Sequence, residues 1–244
     1  MTLGDHISRN EGSSTLVAFI EVILCSGFPS QFVLAVGLSI IGLAAQDETG
    51  QLSIAYVAIL SLADTTILVG LIFYFLNTHG EIPRQVFLGT RPHRRELILG
   101  CLLVPVMVIT AVAGLTTIRY FWPSLHNIPE NPMETLIQSP TDALIFAVVA
   151  IVAGGVREEL QRAFILSRFE QHLGGGWLGL IVFSLAFGLG HQIQGWDAAI
   201  VTAVLGAAWG IIYLVRRSIV PNIISHAGFN LAEIILVLTT AGPT

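Results

Sequence analysis

The chain has 244 residues, of which 54% are hydrophobic and only 11% charged, with a formal net charge of -5. A soluble domain carries about 25% charged residues, so a water-facing globule is excluded, as are a disordered chain and, with only two cysteines, a disulfide scaffold. A mean hydropathy of +0.78 leaves an integral membrane protein. The residues contain eleven arginines and no lysine, and no nucleic-acid partner is expected of so apolar and acidic a chain.

A helical crossing needs about 20 mostly apolar residues. Such stretches run over Thr15–Ala45, Leu52–Leu76, Leu97–Phe121, Asp142–Leu166, Gly175–His191, Ala198–Val215 and Val220–Leu238. They are continuously apolar rather than alternating, which predicts helices and not a barrel. The first is too long for one straight span, and Gly27 and Pro29 interrupt it. A short interfacial or re-entrant helix followed by a span from about Ser30 is expected there. The predicted fold is therefore an all-α, polytopic membrane helical bundle of seven spans, with room for an eighth helical segment. Residues 1–135 supply N-terminal helices without an assigned role, and 136–244 form the chemically distinctive part.

Arginine placement predicts the orientation. The link between the second and third spans holds Arg84, Arg91, Arg94 and Arg95, whereas the link before it holds Asp47 and Glu48 and no arginine. The positive-inside rule puts the first of these in the cytoplasm. Alternation then places Arg9, Arg168, Arg216 and Arg217 inside and leaves Arg119 at an outer end. The N-terminus is expected in the cytoplasm and the C-terminus outside, in the membrane of a prokaryotic cell. The first fourteen residues are polar and do not read as a cleaved signal peptide.

Ionisable groups at membrane depth are costly and mark functional candidates. The fourth span carries Arg157, Glu158, Glu159 and Arg162; the fifth carries Phe187 and His191; the seventh carries His226, Asn230 and Glu233. Glu158 and Arg162 are four apart, which predicts an intrahelical ion pair. His226 and Asn230 share one helical stripe, and Phe187 lies one turn before His191. Glycines 188 and 190 allow close helix approach. At 1.5 Å per residue, Glu158, His191, His226 and Asn230 lie roughly 10–22 Å above the cytoplasmic ends of their spans. Glu21 and Asp64 lack an evident partner and read as structural, and Trp209 reads as packing.

Two glutamates, two histidines and a carboxamide suit amide hydrolysis. A carboxylate can take a proton from water, and imidazole or carboxamide donors can hold an oxyanion. No serine, threonine or cysteine stands in a nucleophile-elbow context, so direct attack by water is expected. A scaffold or immunity protein without catalysis, or a small proton-coupled transporter, are the other classes such groups allow. No inverted repeat supports a carrier.

The paired glutamates with a following arginine, then F-x-x-x-H at Phe187–His191 and H-x-x-x-N at His226–Asn230, on successive membrane helices, resemble the CAAX-protease and bacteriocin-processing family (CPBP, also called Abi) of intramembrane proteases. The resemblance covers about residues 140–240. The family places three residues between its Glu pair and the arginine, whereas only Leu160 and Gln161 separate Glu159 from Arg162. Aligning on the arginine favours Glu158 over Glu159 as the base. The resemblance implies that Glu158 and His191 activate water and that His226 and Asn230 form an oxyanion hole. Glu159, Arg162 and Phe187 complete the site. It implies a membrane-embedded or lipidated peptide substrate and an endopeptidase; the family has been called both metal-dependent and metal-independent, and a mechanism without a cofactor is expected here. Zinc stays open, with Glu158, His191 and His226 as its ligands.

Overall fold

The computed structural model describes residues 3–47, 50–129 and 131–240, with side chains from residue 14 to 239. Arg9 and Glu48 lie outside the described side chains. Among the described residues the regular structure is helical, apart from an isolated bridge between Gln46 and Leu52, with turns and loops between the helices. In chain order the helices are α1 (Leu3–Leu24), α2 (Phe28–Ile40), α3 (Ile54–Thr78), the short α4 (Pro83–Phe87) and α5 (His93–Phe121). After a turn-rich loop come α6 (Pro140–Val149), a π-helical segment (Ala150–Arg157) and α7 (Glu158–His172) in one continuous rod. They are followed by α8 (Gly176–Gly190), α9 (Trp196–Arg216) and α10 (Val220–Thr240).

Helices α3, α5, α9 and α10 are long and apolar enough to cross a membrane, and the α1–α2 pair makes a fifth crossing if it is one bent span. Seven expected crossings exceed this count for two physical reasons. The 142–166 stretch is split by the π segment and carries four charged side chains between Arg157 and Arg162. Helix α8 has 15 residues, about 23 Å at 1.5 Å per residue, short of a hydrocarbon core of roughly 30 Å. The first stretch also differs in detail. It is a long helix and a 13-residue helix meeting at 41°, with the break at Cys25–Gly27. Gly27 sits at φ +86°, a backbone state that its missing Cβ permits, and Pro29 opens the second helix.

Packing follows side-chain size. α10 lies against α5 and the π segment, while α8 lies against α9 and α7. A Cβ on Gly100 would meet Ile224 at 2.6 Å, and one on Gly188 would meet the Ala199 carbonyl at 2.6 Å, so both positions need glycine for these approaches. Gly190 has open space around it, so of the two glycines expected to admit a neighbour only Gly188 does. A buried cluster around Leu68, Ile72, Phe164 and Leu166 joins α3 to α7. A second, around Met107, Leu205, Trp209 and Phe229, joins α5, α9 and α10.

One end of the bundle gathers the arginines. Arg168 pairs with Glu21 and Glu81, Arg216 with Glu96 and Arg217 with Glu170, while Arg91 donates to the Arg216 carbonyl. Arg217 closes α9 in the left-handed conformation, φ +57°. Its hydrogen bond holds the Glu170 carboxyl below the usual carboxylate range. At the opposite end Arg119 and His126 both bond the buried Asp197, which pins the 122–139 loop to the start of α9.

Candidate active site

The π segment places the acidic pair. Each i→i+5 turn takes about one residue more than an α turn, and such segments recur at functional sites. It packs on α10 through two glycines. A Cβ at Gly154 would lie 2.5 Å from Asn230 Nδ2, and one at Gly155 would lie 2.8 Å from the Ala227 Cβ. The approach lets Asn230 donate to the Ala150 carbonyl at 3.1 Å. Glu158 and Glu159 follow at the first turn of α7, facing α10.

The two carboxylates have different surroundings. Glu159 is buried and fully engaged: His226 Nδ1 lies 2.8 Å from its Oε1, Asn222 donates to Oε2 at 3.0 Å, and Arg162 pairs with Oε1. The expected Glu158–Arg162 pair is therefore replaced by Glu159–Arg162 at i,i+3 spacing, because Arg162 turns inward against α8 and α9. There its guanidinium packs 5.2 Å from the Phe183 ring, 5.0 Å from Phe187 and 5.6 Å from Trp209. Glu158 makes no hydrogen bond among the described residues and its side chain is 17% exposed. Its nearest ionisable neighbours are His226 Nε2 at 3.8 Å and Arg157 Nη1 at 3.9 Å, both beyond hydrogen-bond length.

The histidines are fixed by their other nitrogens. A carboxylate can only accept, so the His226 proton on Nδ1 points to Glu159 and Nε2 points to Glu158. His191 Nδ1 lies 2.8 Å from the Phe187 carbonyl, which also only accepts, so its Nε2 is left for the site. Phe187 holds both rings, with centroids 4.8 Å from His191 and 6.2 Å from His226. The structure thus gathers Glu158, Glu159, Arg162, Phe187 and His226 directly, with His191 across Phe187 and Asn230 one turn along α10.

Three further residues belong to this cluster and carry no motif signal. Trp209 stacks on His226 with centroids 4.0 Å apart and planes at 16°, and donates to Ser225 Oγ at 2.9 Å. Asn222 bridges Glu159 and the Trp209 carbonyl at 2.7 Å. Asp64 pairs with Arg157 at 2.5 Å from 93 residues away. Asn222 lies one turn before His226, so the stripe through 222, 226 and 230 was the signal available for it.

For zinc, Glu158, His191 and His226 do not fit as a cage. Among the described residues no three His, Cys, Asp or Glu side chains converge on a metal-sized position. A recess of about 500 Å³ at the arginine-rich end, lined by Glu170, Gln171 and His172, holds none of the site residues.

Residues 140–232 match the family model described as Type II CAAX prenyl endopeptidase Rce1-like. No curated protein and no solved structure matches the chain. The matched segment begins at α6 and ends within α10, so it spans every site residue from Glu158 to Asn230. Residues 140–232 are thus similar to the CPBP family, of which this description is one branch.

Proposed function

We propose that the protein is an intramembrane endopeptidase in which Glu158 activates a water molecule against a peptide bond of a membrane-associated substrate. The observation that carries this reading is the contrast between the carboxylates. Glu159 is consumed by three partners, whereas Glu158 is unbonded and 3.8 Å from an imidazole nitrogen. One water can lie within about 2.6–3.2 Å of both atoms, the reach a general base needs.

Glu158 takes the proton as the water oxygen bonds to the carbonyl carbon. The oxyanion is met by His226 Nε2–H when that ring carries both protons, with Glu159 balancing its charge, and by the second N–H of Asn230. Collapse breaks the C–N bond, and the proton on Glu158 passes to the leaving amine. His191 Nε2 orients the water from across Phe187. No step requires a metal. The arginine-rich end faces the cytoplasm in this reading.

The test uses purified protein in nanodiscs with a panel of membrane-tethered peptides, prenylated and unmodified, and product mapping by mass spectrometry. Cleavage at a defined bond is expected from the wild type, and His226→Ala should reduce it by about 10²-fold or more. Wild-type protein that cleaves no member of the panel, or equal cleavage by His226→Ala, contradicts the reading.

A further inference from the structure

Arg157 stands immediately before Glu158 and is 7% exposed, yet its guanidinium is turned away from that carboxylate. Nη2 is 2.5 Å from Asp64 Oδ2, and Nη1 donates to Gln161 Oε1 at 3.1 Å. Nη1 remains 3.9 Å from Glu158, and Nε has no hydrogen-bond partner among the described residues. Asp64 is itself fully buried on α3 and fixed from α2: Ser30 Oγ donates to Oδ1 at 2.5 Å, and Gln31 Nε2 lies 3.3 Å from Oδ2. Gln161 in turn donates to the Cys25 carbonyl at the α1–α2 break, at 2.8 Å. The break, α3 and the π segment therefore meet on one guanidinium.

A buried arginine beside a carboxylate would ordinarily close a short, charge-assisted pair with it. Such a pair would occupy the oxygen lone pairs that must accept a proton from water. We propose that Asp64 is a positioning residue for the proposed reaction: it tethers Arg157 and so keeps the Glu158 carboxylate open to water. The tether lies outside the 140–232 segment and gives the N-terminal helices a part in the site. The charged and titratable groups facing Glu158 are Arg157 and His226, the latter also bonded to Glu159, and the one facing Arg157 from α3 is Asp64. The inference rests on Glu158 as the base.

The experiment compares Asp64→Asn, Asp64→Glu and the double variant Asp64→Asn/Arg157→Gln in nanodiscs. Two readouts are taken: turnover, and modification of Glu158 by a hydrophobic carbodiimide mapped by mass spectrometry. Asp64→Asn, equal in shape but uncharged, should lower kcat at least about tenfold with KM little changed, part of the roughly 10²–10⁴ a placed base contributes. It should also protect Glu158 from the carbodiimide as Arg157 swings onto it. Asp64→Glu and the double variant should recover both. A purely structural Asp64 predicts a lower unfolding temperature for Asp64→Asn, recovered in the double variant, with Glu158 labelling of the folded protein unchanged throughout, and that unchanged labelling overturns the proposal. If Asp64→Asn does not fold, Ser30→Ala/Gln31→Leu, which keeps every charge but frees the Asp64 carboxylate, should shift labelling in the same direction; unchanged labelling overturns it. Labelling that follows this pattern in a protein that cleaves nothing leaves the tether standing and removes the peptidase reading instead.

Discussion

At the residue scale the two adjacent glutamates divide the work by what surrounds them. Glu159, Arg162, His226 and Asn222 make a buried ionic unit whose members depend on one another. Breaking such a unit strands a charge in a low-dielectric interior and costs about 3–5 kcal/mol, whereas neutral replacement of both partners is often tolerated. Arg162→Leu should therefore lower stability by about that amount, and Glu159→Gln/Arg162→Leu should recover much of it, as read from thermal unfolding in detergent. Helical spacing alone suggested Glu158 for Arg162, since residues three and four apart are both neighbours. What decides between them is tertiary: His226 and Asn222 arrive from α10 and claim Glu159. His191 and His226 were legible as intramembrane imidazoles, but their tautomers depend on the Phe187 carbonyl and on Glu159.

At the element scale the decisive piece is the π segment. Its eight residues read as ordinary apolar helix, because nothing in Ala150–Arg157 breaks an α pattern except two glycines. Those glycines are where α10 comes closest, and an α-helical projection through the segment misplaces the faces that follow it. Gly155→Val should push on Ala227 and cost about 1–3 kcal/mol. Gly188→Ala should also destabilise, with its new Cβ set 2.6 Å from the Ala199 carbonyl. Gly190→Ala, in open space, should leave the unfolding temperature unchanged and serve as the control. Equal effects at 188 and 190 would contradict the packing described.

At the scale of the whole molecule, the placement of arginines along the sequence predicts two unlike ends. The structure adds the ion pairs that bind one end together, through Glu21, Glu81, Glu96 and Glu170. Glu170 and Arg217 are about half exposed, so their pair is screened by solvent and worth at most about 1 kcal/mol. Because the Glu170 carboxyl is held low, that contribution is present above the ordinary carboxylate range and is lost as pH falls through the lowered value. Glu170→Gln should accordingly remove only a small acid-side dependence of unfolding temperature. Orientation is tested by single cysteines at Gln171 and Thr135 in a variant lacking Cys25 and Cys101. An impermeant reagent outside intact cells should label position 135 and not 171. Asp64 shows the limit of linear reading: its partner is 93 residues away, and only the meeting of α3 with the π segment reveals it.

The most direct test of the account is the turnover of Glu158→Gln beside wild type on a peptide the wild type cleaves, with folding checked by thermal unfolding. Glu158→Gln should unfold at the wild-type temperature and lose about 10²–10⁴-fold in kcat, the contribution of a placed base. Wild-type turnover by Glu158→Gln would show that the open carboxylate is not the base.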